Sequence, residues 1–214
     1  VGLNAYYRTS AYSKLSLEYH HMEEFRRGGS GFSLPPHIAE DAGLNGTGAP
    51  GLVEQLKHSI NTGGLKFTAF SKNQKHTFST YASAQHIVRN SYYSAYGMTT
   101  DFTGVLGAQY IYHFDKCLFM PADFTAGVEY NQDNLEDSQL GYDRFISQKV
   151  KIGSVFAQNE WKNEKWGILI GGRLDWHNML DKPIQSSCQH SFQPWQKHQP
   201  ACKLFVRIPC PAGF

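Results

Sequence analysis

The sequence predicts an all-β chain: an antiparallel meander of about eight strands, laid out like part of a transmembrane β-barrel. Three observations predict it. Apolar and polar residues alternate with period two in segment after segment, short and long connections follow one another in strict turn, and aromatic residues gather near the ends of the alternating runs.

The chain of 214 residues enters its first run almost at once, near 2–8, in "VGLNAYYR". In the second, near 11–24, "YSKLSLEYHH" sets Leu15, Leu17 and Tyr19 on one face and Lys14, Ser16, Glu18 and His20 on the other. The third and fourth, near 54–71 and 76–90, flank the short turn "KNQK". The fifth, near 103–114, carries the row Leu106, Ala108, Tyr110, Tyr112 and Phe114. The sixth, near 118–132, sets Phe124, Ala126, Val128 and Tyr130 against Thr125, Glu129 and Asn131. The seventh lies near 147–162. The eighth, near 165–178, alternates Trp166, Ile168, Ile170, Leu174 and Trp176 with Lys165, Arg173, Asp175 and His177. Successive side chains of a strand point to opposite faces, so each run has one apolar and one polar face.

Long connections are expected at 26–53, 91–102 and 132–146, and tight turns between the other runs, which puts all the long loops at one end of the meander. That is the asymmetry of outer-membrane barrels. Tyr19, Phe25, Tyr92, Tyr93, Tyr112, Phe114, Trp161, Trp166 and Trp176 fall at or near strand ends, where an interfacial girdle would sit. Many runs also exceed the five or six residues usual in soluble sheets.

Composition agrees. Aromatic residues make up 14% and charged residues 18%, and no apolar run is long enough for a transmembrane helix. The 20 Lys and Arg residues include Lys197, Lys203 and Arg207; without those three, 17 basic residues stand against 18 acidic ones. Nothing in that balance calls for a nucleic-acid partner. There is no initiator Met and no signal peptide, so the chain reads as an internal piece of a longer protein.

Several motifs invite a chemistry that their setting does not support. "GTGAPG", from Gly46 to Gly51, fits a dinucleotide fingerprint but follows no buried strand and contains Pro50; with "RRGGSG" from Arg26 it reads as loop. His20 and His21, near Glu23 and Glu24, point to opposite faces of a strand and do not converge on one metal. Asn45 opens a formal glycosylation sequon. His58, His86, His113 and His177 read as residues of the wet face. No catalytic constellation, cofactor site or metal site is expected, and the chain is not read as an enzyme.

"EYHHMEEFRRGG", "LPPHIAE", "GGLKFTAFSKNQKHTFSTYASAQH", "GAQYIYHF" and "SVFAQNEWKNEKWGILIGGRLDWHN" together resemble the barrel of TonB-dependent outer-membrane receptors, in particular the Bacteroidetes type of cobalamin and siderophore receptors. Two motifs carry most of the likeness: Phe156, Ala157, Gln158, Glu160 and Trp161 in "FAQNEW", and Gly172, Arg173 and Asp175 in "GGRLDWH". The likeness covers residues 1–184. It implies a barrel of about 22 strands with a plug in its lumen, outer-membrane lipid around it, import of a scarce nutrient driven by the TonB complex acting on the plug, and an outer-membrane location in a Gram-negative bacterium. Cobalamin is the first ligand it implies and a ferric siderophore the second, with contacts from the three long loops and the polar residues beside them. The plug is absent from this stretch, so the piece alone is not expected to transport.

Residues 185–214 break the pattern. In the family the "GxRxD" element is followed by Ser-Pro-Arg and later by "GFRAP", and neither is present. Written in permitted codons and shifted by one nucleotide, "QSSCQHSF" reads Ser-Pro-Arg-Ala-Asn-Ile-Arg and "RIPCPAGF" reads Gly-Phe-Arg-Ala-Pro-Gln-Ala. The tail is therefore read as a frameshifted translation and no domain, in which Cys188, Cys202 and Cys210 have no selected role. A different class of protein, a small self-contained β-barrel that binds a ligand or acts as an adhesin, would need a further cleanly alternating strand after Trp176, and the sequence shows none there.

Overall fold

The computed structural model describes residues 1–29, 31–41, 53–139, 143–163, 166–179, 184–194 and 204–209, with Trp166 and the last two segments described by backbone alone. Ten strands form one sheet: β1 (Gly2–Ser10), β2 (Ser13–Gly29), β3 (Val53–Phe70), β4 (His76–Tyr93), β5 (Tyr96–Cys117), β6 (Met120–Gln139), β7 (Arg144–Lys162), β8 (Trp166–His177), β9 (Ile184–Pro194) and β10 (Leu204–Pro209). Each strand pairs antiparallel with its sequence neighbour and no connection crosses over. One short helix, α1 (Pro36–Asp41), lies between β2 and β3. The eight expected strands are all present. β9 and β10 continue the sheet into the segment whose side-chain pattern predicted no strand, because an antiparallel ladder is made by backbone groups and needs no alternation to form.

The register sorts the side chains. One row across the sheet runs Leu17, Leu65, Ala82, Leu106, Tyr130, Gly153 and Trp176; another runs Leu15, Phe67, Thr80, Ala108, Val128, Val155 and Leu174. These rows share one face, and the large apolar residues on it are open: Leu106 is 58% exposed and Val128 53%. The opposite face carries rows such as Ser16, Lys66, Tyr81, Gly107, Glu129, Ser154 and Asp175. Nothing is stacked on either face over these rows among the described residues, and the buried apolar side chains are few: Ala39, Val53, Tyr92, Met120 and Ala122. Over these rows the described residues form a single layer that buries neither of its faces.

The two ends of the sheet differ, though not in the expected way. The expected long connections at 91–102 and 132–146 are mostly strand: β4 runs to Tyr93 before β5 begins at Tyr96, and β6 runs to Gln139 before β7 begins at Arg144. Beyond Tyr130 the otherwise apolar face of β6 turns polar, with Gln132, Asn134, Glu136 and Ser138, while the ladder continues unbroken. Loss of the apolar pattern reports the end of the greasy band and not the end of the strand. At the opposite end the band runs down to the turns, where Gln74 and Leu118 adopt left-handed backbone conformations at φ 56° and 62°. Phe119 N–H bonds the Cys117 carbonyl at 2.9 Å around Leu118, closing a three-residue turn. Lys75, in the β3–β4 turn, donates to the Asp115 carboxylate, a bond that raises the lysine pKa.

Candidate functional site

The polar face carries a connected network at mid-height. The Tyr81 hydroxyl on β4 donates to Glu129 Oε2 on β6 at 2.6 Å, across the whole width of β5. The sequence makes that reach possible at Gly107. A Cβ there would lie 2.5 Å from the Tyr81 hydroxyl oxygen, so only glycine lets the ring lie flat over β5. Gly127 does the same for Phe156, whose Cζ would be 2.5 Å from an added Cβ.

Arg173 on β8 closes the network. Its Nε donates to Asp175 Oδ1 at 2.7 Å, and its Nη2 to Glu129 Oε1 at 2.9 Å and to the buried Ser154 hydroxyl at 2.7 Å. Asn131 Nδ2 gives Glu129 a further donor at 3.0 Å. Tyr81, Glu129, Ser154 and Asp175 occupy one register row, so four of the strands β4 to β8 are tied through their polar side chains as well as their backbones. The "FAQNEW" and "GGRLDWH" motifs thus meet: Gln158 and Phe156 line the same shallow concavity as Tyr81, Glu129 and Arg173. Ala157, Trp161 and Trp176 occupy the apolar face. Sequence reasoning singled out Arg173 and Asp175 but missed Tyr81, Gly107 and Glu129, whose partnership spans 48 residues and depends on register.

The aromatic girdle is partly assembled at the tight-turn end. Tyr112 and Phe114 meet edge to face at 4.5 Å, His76 lies 4.8 Å from the Tyr112 ring, and Trp161 stacks on Phe119 while its Nε1 donates to the Cys117 carbonyl at 3.1 Å. Tyr19 and Trp176 stand at the other margin of the apolar rows.

At the far end α1 packs over the extension of the apolar face and not over the polar one, beside Val53, Tyr92 and Tyr96. The Tyr92 hydroxyl bonds Glu40, which also accepts from Ser94 Oγ at 3.0 Å. Burial first, and then that carboxylate, push the Tyr92 pKa up to about 12. His37 Nδ1 is 2.8 Å from the Tyr96 hydroxyl, and Ala39, Val53 and Tyr92 form a small core. On the polar side of the same end, Asp137 accepts from Thr99 Oγ1 at 2.7 Å and from Arg144 Nη2 at 2.7 Å, which hold its pKa below the ordinary carboxylate value.

The other sequence candidates are scattered. His21 faces Asn61 at 2.8 Å, with Glu23 at 3.7 Å, and His20 occupies the other face. His58 pairs with Glu24 at 3.5 Å and His113 with Asp123 at 2.5 Å, while His177 Nδ1 accepts from the Met179 N–H at 3.0 Å. Among the described residues no three His, Cys, Asp or Glu side chains gather into a possible metal cage. Gly46 to Gly51, Asn45, Cys202 and Cys210 lie outside the described residues, as does the side chain of Cys188.

A family model described as TonB dependent receptor-like, beta-barrel, matches residues 5–192. Comparison with curated proteins finds no match.

Proposed function

The chain belongs to the TonB-dependent receptor family, whose β-barrel domain it matches over most of its length, and on that premise we propose that it forms part of the wall of an outer-membrane receptor importing cobalamin or a ferric siderophore. Members of the family are transporters of small molecules energised through TonB. The observation that supports this reading most is the single-layer sheet with open apolar rows on one face and a hydrogen-bonded polar network on the other. In water such a face would have to be covered; in a bilayer it is solvated by acyl chains. On β6 the apolar band covers residues 122–130, about nine residues, the length of a tilted membrane strand. The polar face then lines the lumen, and the strand overhang and α1 stand on the extracellular side.

The nutrient and the receptor subtype come from the motif likeness of residues 1–184. In this reading the plug and the TonB-contacting segment belong to the rest of the protein, and the piece alone does not transport. Residues 185–214 are read as the product of a shifted reading frame; the family match ends inside them, at residue 192. A self-contained small barrel would need β1 and β10 to pair, and among the described residues each pairs on one side only.

Uptake decides the function. Cells expressing the whole gene product should accumulate labelled cobalamin or a labelled ferric siderophore only with functional TonB, and cells expressing residues 1–214 should accumulate neither. TonB-independent uptake, or uptake by the piece alone, would sink the reading. Sequencing the DNA across codon 185 tests the tail separately: no Ser-Pro-Arg in the neighbouring frame there means that the tail is genuine.

A further inference from the structure

We propose that Asp101 and Asp133 share one proton on the polar face of the strand overhang and make the β5–β6 ladder there a pH-sensitive lip, tight while the proton is held and looser once it leaves. The place of this lip at the mouth of the lumen rests on the reading above; the pairing itself does not. Register puts both carboxyls on the face that carries Tyr81 and Glu129. Asp101 is opposite Ile87 on β4 and Leu135 on β6, and Asp133 is opposite Thr103 on β5 and Val150 on β7. The two are therefore diagonal neighbours across one ladder, a spacing that side chains span. Both lie beyond the apolar band, which on β6 ends at Tyr130.

Their surroundings give the pair no cation to lean on. Both are half-buried, and Ile87 and Leu135 shut Asp101 in along its own row. Among the described residues neither takes part in an ion pair, and Asp101 Oδ1 is buried with no hydrogen-bond partner. On β4 the flanking residues of this face are Gln85 and Arg89, and the charge of Arg89 acts on Asp137. On β3 the nearest titratable group, His58, pairs with Glu24. On β7 the facing residues, Gln148 and Val150, carry no charge. Burial first, and then the charge of Asp133 and a hydrogen bond to it, raise the Asp101 pKa; His86, on the other face of β4, opposes the rise.

Two ionised carboxylates offer only acceptors, so they repel; with a proton on one, its O–H donates to the other and ties β5 to β6. The sign follows from the raised folded value. Stability from the pair is fully present below the unfolded carboxyl pKa, near about 4, and is lost as the pH rises through the folded value. Asp137, whose pKa is lowered, responds on the other side of that same unfolded value. The two windows meet there without overlapping, so pH alone separates the two devices, and the overhang is tightest where they meet.

The test is amide exchange of the full chain in phosphatidylcholine nanodiscs, corrected for the intrinsic pH dependence of exchange and read at residues 99–105 and 131–137. Between about pH 4 and 8 the wild-type lip should lose roughly tenfold in protection, the worth of one hydrogen bond. Asp101→Asn and Asp133→Asn should each keep the acid-level protection throughout, because a carboxamide donates to the remaining carboxylate without a proton. Wild-type protection that does not change with pH, or an asparagine variant that still loosens as the pH rises, would overturn the proposal. Carboxyl carbon NMR of labelled aspartate adds a direct reading: the Asp101 resonance should titrate lower in Asp133→Asn than in wild type, and an unchanged titration would also overturn it. Amides of the band, at Leu106 and Val128, report the wall itself. Free exchange there overturns the wall reading and the lip with it, whereas a protected band with a lip indifferent to pH overturns only the shared proton.

Discussion

At the scale of single residues, glycine and left-handed positions decide where the wall can be flat. Gly107→Ala would drive a methyl group into the Tyr81 ring and break its bond to Glu129. We expect a loss of about 1–3 kcal/mol in urea unfolding from detergent micelles. Tyr81→Phe should cost less, about 1 kcal/mol, because Asn131 and Arg173 still serve the carboxylate. The reverse change is expected at Leu118, whose branched side chain sits at φ 62° at the tip of the β5–β6 turn and is 79% exposed. Leu118→Gly relieves strain of about 1–2 kcal/mol and gives back part of it as unfolded-chain entropy, so the unfolding midpoint should rise slightly. A fall would mean that Leu118 makes contacts the strain argument omits.

At the scale of elements, the strand overhang is held by pairs that respond to acid. Asp137 has a lowered pKa, so its pairing with Thr99 and Arg144 stabilises the β6–β7 hairpin above the unfolded carboxylate pKa and is lost as the pH falls through the folded value. Amide exchange at the tip of this hairpin should therefore accelerate below about pH 4, and Asp137→Asn should remove that pH dependence. For α1, Tyr92→Phe removes the Glu40 tether and should make the helix Pro36–Asp41 cleave faster in limited proteolysis, with the strands unchanged. Eight strands were legible in the sequence because one face of each alternates through the apolar band. The overhangs were not, since Gln132 to Ser138 are polar at every position but Leu135 and the backbone ladder is what marks them as strand. The site was half legible: Arg173 stood in a recognisable motif, while Glu129 looked like any wet-face carboxylate until the register brought Tyr81 to it.

At the scale of the whole molecule the two faces should tolerate charge very differently. Val128→Arg on the apolar face is expected to cost about 2–4 kcal/mol at mid-bilayer, whereas Gln109→Arg on the polar face should cost under about 1 kcal/mol. The folded fraction in lipid vesicles, read by heat-modifiable gel migration, checks both. Equal losses would remove the distinction between a lipid face and a lumen face on which the function is built.

The sheet order β1 to β10 without a crossover has one more consequence. Each strand finds its partner in the strand just made, so structure can grow from a single front, one hairpin at a time, and apart from the β2–β3 connection only short loops need to close at each step. Growth of that kind does not consult the far end of the chain. A polypeptide cut short, or derailed after β8, would keep every register already laid down and stop with a live edge.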